Sequence, residues 1–169
     1  SRFDFSPSAI VASVERSLKR LRTDRIDVLL LHSDGEDETL ARFGPAIDAL
    51  ERLKQAGKLI ATGFSGKTVE GGLMGVAHTD VVMITLNPGA TADRAVAAAA
   101  RQAGKGVLVK KALDSGNLVS SGDPVRQAME LIFAEPGVSC VVIGTLSAEH
   151  LAHDVAAARQ AIERAGHGG

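Results

Sequence analysis

A chain of 169 residues is long enough to bury a core without disulfides or metals to hold it together. Its 19 basic and 20 acidic residues are mixed along the sequence, so neither nucleic acid nor an anionic membrane surface is implied as a partner. No run reaches the roughly 18 apolar residues of a membrane span, and the start Ser1-Arg2-Phe3-Asp4-Phe5 lacks the apolar stretch of a signal peptide, so a soluble cytoplasmic protein is expected.

Ser6-Pro7 reads as an N-cap with proline at the first helical position, and Ile10, Val11, Val14, Leu18 and Leu21 then recur at helical spacing. The run Ile26-Asp27-Val28-Leu29-Leu30-Leu31 follows as a strand buried on both faces and ends at His32. Asp27 is expected to be solvated or paired at the strand's beginning. Leu40, Phe43, Ile47, Leu50 and Leu53 form the next helical stripe, closed by Ala56-Gly57 with glycine where a left-handed cap belongs. Strand Lys58 to Phe64, a short helix near Thr68 to Ala77, strand Val81 to Leu86, helix Thr91 to Ala103 and strand Gly106 to Lys111 succeed one another. A loop through Gly116 and Gly122 leads to Asp123-Pro124, which starts a helix to Ala134. Strand Ser139 to Ile143 and a helix from Ser147 complete the chain, with Gly166 to Gly169 as a disordered tail. The one cysteine, Cys140, lies in the apolar run Val138 to Ile143 and is expected to be a buried, unreactive thiol, in keeping with a reducing compartment. His78 is read as a surface loop residue.

Strict alternation with short connections means an α/β domain of parallel (β/α) units, because each crossover returns the chain over one face of the sheet. Two architectures satisfy this pattern. An open doubly wound sheet needs no more strands than these, whereas a TIM-type (β/α)8 barrel needs eight, of which this chain would supply the last five. The first element is a helix that should cover a strand not present, so the chain is read as a fragment, a processed product or a cut domain. Residues 1–169 are taken as a single partial domain.

The string Ser13-Val14-Glu15-Arg16-Ser17-Leu18-Lys19-Arg20-Leu21, then Asp24 through Asp27, then Leu29-Leu30-Leu31-His32 closely resembles the stretch of aldo-keto reductases that leads into their catalytic histidine. The likeness continues through Ala56-Gly57-Lys58-Leu59-Ile60-Ala61-Thr62-Gly63-Phe64-Ser65. It ends with Val142-Ile143-Gly144-Thr145-Leu146-Ser147-Ala148-Glu149-His150-Leu151, which looks like that family's last strand and cofactor-phosphate loop. The resemblance implies the C-terminal five strands of a (β/α)8 barrel and, for the intact parent protein, reduction of a small-molecule carbonyl by NADP(H), with NAD(H) as the other choice. It implies His32 as the catalytic histidine that orients the carbonyl. The tyrosine, lysine and aspartate that act with that histidine in the family have no counterpart here, and the chain contains no tyrosine. A carbonyl that accepts hydride needs a proton donor within hydrogen-bond reach, so this chain alone is expected to be inactive.

For the cofactor, the resemblance implies Ser65 as a ligand of the nicotinamide amide. Gly66 stands where the family has asparagine, and Met83 where it commonly has glutamine. Lys110 stands where many members place an aromatic ring against the nicotinamide. Lys110, Gly144, Thr145, Ser147 and His150 are assigned to the cofactor, the last four around its phosphates and adenosine. Ser147 at a helix N-terminus offers backbone donors and the positive end of a dipole, and is an N-cap in any case. His150 and His153, one helical turn apart, could share a metal, but no third ligand is visible and no metal site is assigned. An alternative is a non-enzymatic, nucleotide-binding or regulatory relative; another is a free-standing module that binds some other phosphate. Five barrel strands would leave sheet edges and one apolar face uncovered, so self-association, or association with an N-terminal barrel part, is expected.

Overall fold

The computed structural model describes residues 3–36, 38–114 and 122–166. Helix α1 (Pro7–Leu21), strand β1 (Ile26–His32), α2 (Leu40–Gln55), β2 (Leu59–Ser65), α3 (Val69–His78), β3 (Val81–Thr85), α4 (Arg94–Gln102), β4 (Gly106–Lys110), α5 (Pro124–Phe133), β5 (Cys140–Val141) and α6 (Ala148–Gly166) follow in turn. The local chemistry of the ends is as read. The Ser6 hydroxyl accepts from the Ala9 N–H ahead of Pro7, Asp123 accepts from Arg126 ahead of Pro124, and Gly57 and Gly104 are left-handed just past their helices.

All neighbouring strands are parallel, and their order in the sheet is β1-β2-β3-β4-β5. That order separates the two architectures. A doubly wound sheet reverses its strand order at a switch point, whereas a barrel runs sequentially. With every crossover in the usual right-handed sense, sequential order puts all the helices on one face.

The core lies between that face and the helices. In its first part Phe43 and Phe64, both fully buried, meet edge-on with centroids 5.1 Å apart, and Phe5 packs on Phe43 at 4.6 Å. Each such ring contributes roughly 1.5–3 kcal/mol by leaving water. A second part gathers Val82, Ile84, Val107 and Val109 from β3 and β4 against Val96, Ala97 and Ala100 of α4.

The opposite face of the sheet is open, and this corrects two expectations. β1 is not buried on both faces, since Val28 between its neighbours is 40% exposed while Leu31 is buried. Cys140 is exposed rather than buried, because Val141 beside it takes the inward position against the helices and the alternation of the strand turns Cys140 outward. The β5 ladder is also shorter than its apolar run, and α4 begins at Arg94 rather than Thr91, because Asn87 to Ala90 form a tight bridged turn first. Val11 and Leu21 of α1 and Leu40 of α2, assigned to apolar stripes, are exposed. Asp27 is exposed, as expected, and His78 is the exposed last residue of α3 rather than a loop residue. Gly166, expected in a disordered tail, closes α6, while residues 167–169 and the loop around Gly116 lie outside the described residues. Among the described residues no helix is long and apolar enough to cross a membrane.

Candidate functional site

The carboxyl ends of the strands converge at one edge of the sheet, where parallel (β/α) folds build their sites from strand termini. His32 ends β1 and lies opposite Ser65 at the end of β2, so the two share a face. The His32 Nδ1 is 2.8 Å from the Ser33 carbonyl oxygen. A carbonyl can only accept, so Nδ1 carries the proton and Nε2 is left as an acceptor, with no partner among the described residues.

Lys110, the last residue of β4, reaches over the end of β3. Its Nζ donates to Ser65 Oγ at 2.9 Å and to the Gly66 carbonyl at 2.8 Å. Burial, and then the positive charge of Lys111, hold its ammonium below the ordinary lysine range.

The turn after β2 is itself clamped by a residue that the sequence did not single out. Glu38, buried in the loop after β1, accepts from the Lys67 N–H at 2.8 Å, the Thr68 N–H at 3.0 Å and the Thr68 hydroxyl at 2.6 Å. Burial raises its carboxyl, but hydrogen bonds from Ser33, Thr68 and the backbone N–H groups of Lys67 and Thr68 outweigh that and hold it below the usual glutamate value. A Cβ on Gly71 would stand 1.9 Å from Glu38 Oε2, and one on Gly66 would meet the same oxygen at 3.3 Å and the Gly72 nitrogen at 3.2 Å. Glycine at 66, where asparagine was the residue looked for, thus leaves room for a carboxylate. The Lys67 Nζ also donates to the Asp34 carbonyl at 2.8 Å, so the loops after β1 and β2 are joined twice.

Beyond β4 and β5 lies a cavity of about 460 Å³, lined by Lys111, Ala112, Leu113, Gly144, Thr145, His150 and Asp154 among others. Lys111 has φ 55, and the Asn87 side-chain amide holds its carbonyl at 2.9 Å, tying the turn after β3 to the end of β4. Ser147 Oγ accepts from the His150 N–H and Thr145 Oγ1 from the Ser147 N–H, each at 3.2 Å, so both hydroxyls organise the start of α6. His150 faces the cavity, whereas His153 is drawn to Asp123 at 3.3 Å, and the two histidines form no pair. Asp154 lines the cavity and is buried. No cluster of three metal-ligating side chains is present among the described residues.

The residues thus fall into two groups on one edge: His32, Ser65 and Lys110 over the first four strands, and Gly144, Thr145 and His150 around the cavity beside the Ser147 cap. A helix start with hydroxyls and a nearby lysine suits phosphate oxygens. The first group presents an imidazole acceptor, a hydroxyl and a cation to whatever lies across the strand ends.

Comparison with known proteins follows the same lines. A protein from Pseudomonas aeruginosa described as an aldo-keto reductase superposes with a TM-score of 0.88 at 48% identity, over 96% of this chain and 61% of that one. An aldo-keto reductase from Bacillus halodurans in its holo form superposes with a TM-score of 0.77 at 20% identity, over 96% of this chain and 68% of that one, and so speaks to the fold alone. In sequence, a D-threo-aldose 1-dehydrogenase from a Pseudomonas species is 29% identical over 130 residues, 73% of this chain and 39% of the relative. The chain therefore spans less than two thirds of both Pseudomonas relatives. With the model of the aldo/keto reductase family matching residues 1–131, on a sequential parallel sheet like that of its barrels, the chain belongs to the aldo/keto reductase family.

Proposed function

We propose that the chain carries the histidine strand and the cofactor edge of an NAD(P)H-dependent oxidoreductase that reduces small-molecule carbonyls to alcohols, working in the cytoplasm. The observation that supports this most is the juxtaposition of the unengaged His32 Nε2 with Ser65 and Lys110 on the strand edge that also bears the cavity at Gly144, Thr145 and His150. In this reading a donor that bridges His32 Nε2 and the substrate oxygen orients the substrate. Ser65 and Lys110 meet the nicotinamide end of the cofactor. Gly144, Thr145, Ser147 and His150 meet its phosphates and adenosine, with NADP(H) as the first choice and NAD(H) as the second. The bound cofactor supplies the hydride. The proton donor has to come from outside this chain, which contains no tyrosine. The open face of the sheet, with Val28 and Val142 exposed, is the surface where an N-terminal barrel part or a second copy would pack.

A second reading, a nucleotide-binding relative without turnover, is favoured by one observation: Gly66 and Met83 stand where the resemblance implies the asparagine and glutamine that hold the nicotinamide amide. The two are separated by following NADPH absorbance with a panel of aldehydes and aldoses, the latter because one relative is an aldose dehydrogenase. The intact protein should turn over, the 169-residue chain should not, and His32→Ala in the intact protein should lose about 10²-fold or more in rate. An intact protein that binds NADPH without turnover would establish the second reading. Turnover by the 169-residue chain would refute the reasoning about the donor.

A further inference from the structure

Lys110 is half-buried, yet it forms no ion pair among the described residues. Both of its acceptors, Ser65 Oγ and the Gly66 carbonyl, are neutral. The charged groups that act on it are Lys111 and Lys67, which add positive potential, and Asp93 and Glu38, which oppose it. Neither carboxylate is free to approach. Asp93 holds the Thr85 N–H at 2.9 Å, and Glu38 holds the turn at Lys67 and Thr68. An ammonium fixed without a counter-ion therefore stands over the end of β3, at the edge where the cofactor was placed above.

Resting on that cofactor reading, we propose that Lys110 discriminates between the two redox states of the nicotinamide, weakening the hold on the oxidised form relative to the reduced one. The oxidised ring carries a positive charge that the reduced ring lacks, while the phosphates are the same in both. A neighbouring, poorly screened cation therefore acts on the difference alone. The hydrogen bond to Ser65 works in the same direction. Because Ser65 Oγ accepts from Lys110, its own proton is available to a carbonyl oxygen, which lets Ser65 hold the ring amide in either state without neutralising the lysine. After a reduction, Lys110 would speed departure of the oxidised cofactor.

The test is binding, not turnover. Dissociation constants for NADP⁺, NADPH, NAD⁺ and NADH are measured by titration calorimetry on the intact protein without substrate, for wild type, Lys110→Met, Lys110→Gln and Lys110→Arg, each checked for folding by its thermal melt. The ratio of the oxidised to the reduced constant should fall about tenfold or more in both neutral variants and stay near wild type in Lys110→Arg. The two neutral variants guard against a single misfolded one. Ser65→Ala should weaken both forms alike. An unchanged ratio in the neutral variants overturns the proposal while leaving the cofactor site standing. Failure of the wild type to bind any of the four overturns the cofactor reading and this inference with it.

Discussion

The clamp made by Glu38 gives the sharpest test of how the candidate site is held. Replacing Glu38 by alanine removes the acceptor of the hydrogen bonds from the Lys67 and Thr68 N–H groups and the Thr68 hydroxyl, and the partner of the Ser33 side chain. Hydrogen bonds to a charged group contribute about 1.5–3 kcal/mol each, but Lys67 and Thr68 are exposed enough for water to replace part of the loss, so a total of about 2–3 kcal/mol is expected. In a protein of this size that corresponds to a fall in Tm of roughly 5–10 °C. Gly71→Ala should also destabilise the wild type, because the three atoms nearest its new Cβ all belong to Glu38, the first at 1.9 Å. Combined with Glu38→Gly, which also removes the Cβ that Glu38→Ala would leave 2.8 Å from the new methyl, the same substitution should instead stabilise by up to about 1 kcal/mol, since alanine is the better helix former and its obstacle is gone. The assay is a double-mutant cycle by urea unfolding, in which the sign of the Gly71→Ala effect reverses between backgrounds. The depressed Glu38 carboxyl adds a pH signature. Its stability contribution is present above the unfolded glutamate value and is lost as pH falls through the lower folded value, so the acid limb should flatten in Glu38→Ala. A Glu38→Ala change below about 0.5 kcal/mol, or additive effects in the cycle, would refute the clamp.

At the opposite end of the sheet, Asp80 accepts from Lys54 Nζ at 2.6 Å and from the Thr62 N–H at 2.9 Å, and these bonds outweigh burial to hold its carboxyl below the usual aspartate value. Asp80→Asn should cost about 1–2 kcal/mol at neutral pH and less as the pH falls below about 4, read from urea midpoints across pH. Phe64→Ala should cost about 3–5 kcal/mol, because the ring is fully buried between β2 and α2 against Phe43; a loss under about 1 kcal/mol by the same assay would show that the core described here is not formed in solution.

Much of the fold was legible because each element carries its own local chemistry. Ser6-Pro7 and Asp123-Pro124 mark helix starts wherever they occur, and Gly57 and Gly104 supply left-handed residues past helix ends. What was not legible is which side of each strand is covered. Ile26 to Leu31 and Val138 to Ile143 are apolar on both faces, as barrel strands are, and that pattern is the same whether or not a wall stands opposite. The exposure of Val28 and Cys140 therefore depends on strand order and on what the sheet faces, neither of which is a local property.

The candidate site divides in the same way. His32, Ser65 and Lys110 stand at strand ends that the apolar runs delimit, so a motif can point to them, although nothing in the motif shows that Lys110 crosses β3 to meet Ser65. Glu38 left no such mark. It follows Asp34, Glu36 and Asp37 in one acidic loop, and its partners at Lys67 and Thr68 are mostly backbone N–H groups, which look the same in every sequence. Its trace lies in the glycines instead. The space left by the missing Cβ atoms of Gly66 and Gly71 is where the Glu38 carboxylate sits. The glycines at 66 and 71 and the insertion of a carboxylate from another loop are thus one packing arrangement rather than two. By filling the turn from behind, the Glu38 carboxylate leaves the Gly66 carbonyl facing Lys110, so the glycine turn and the uncompensated lysine belong to a single arrangement of the strand ends.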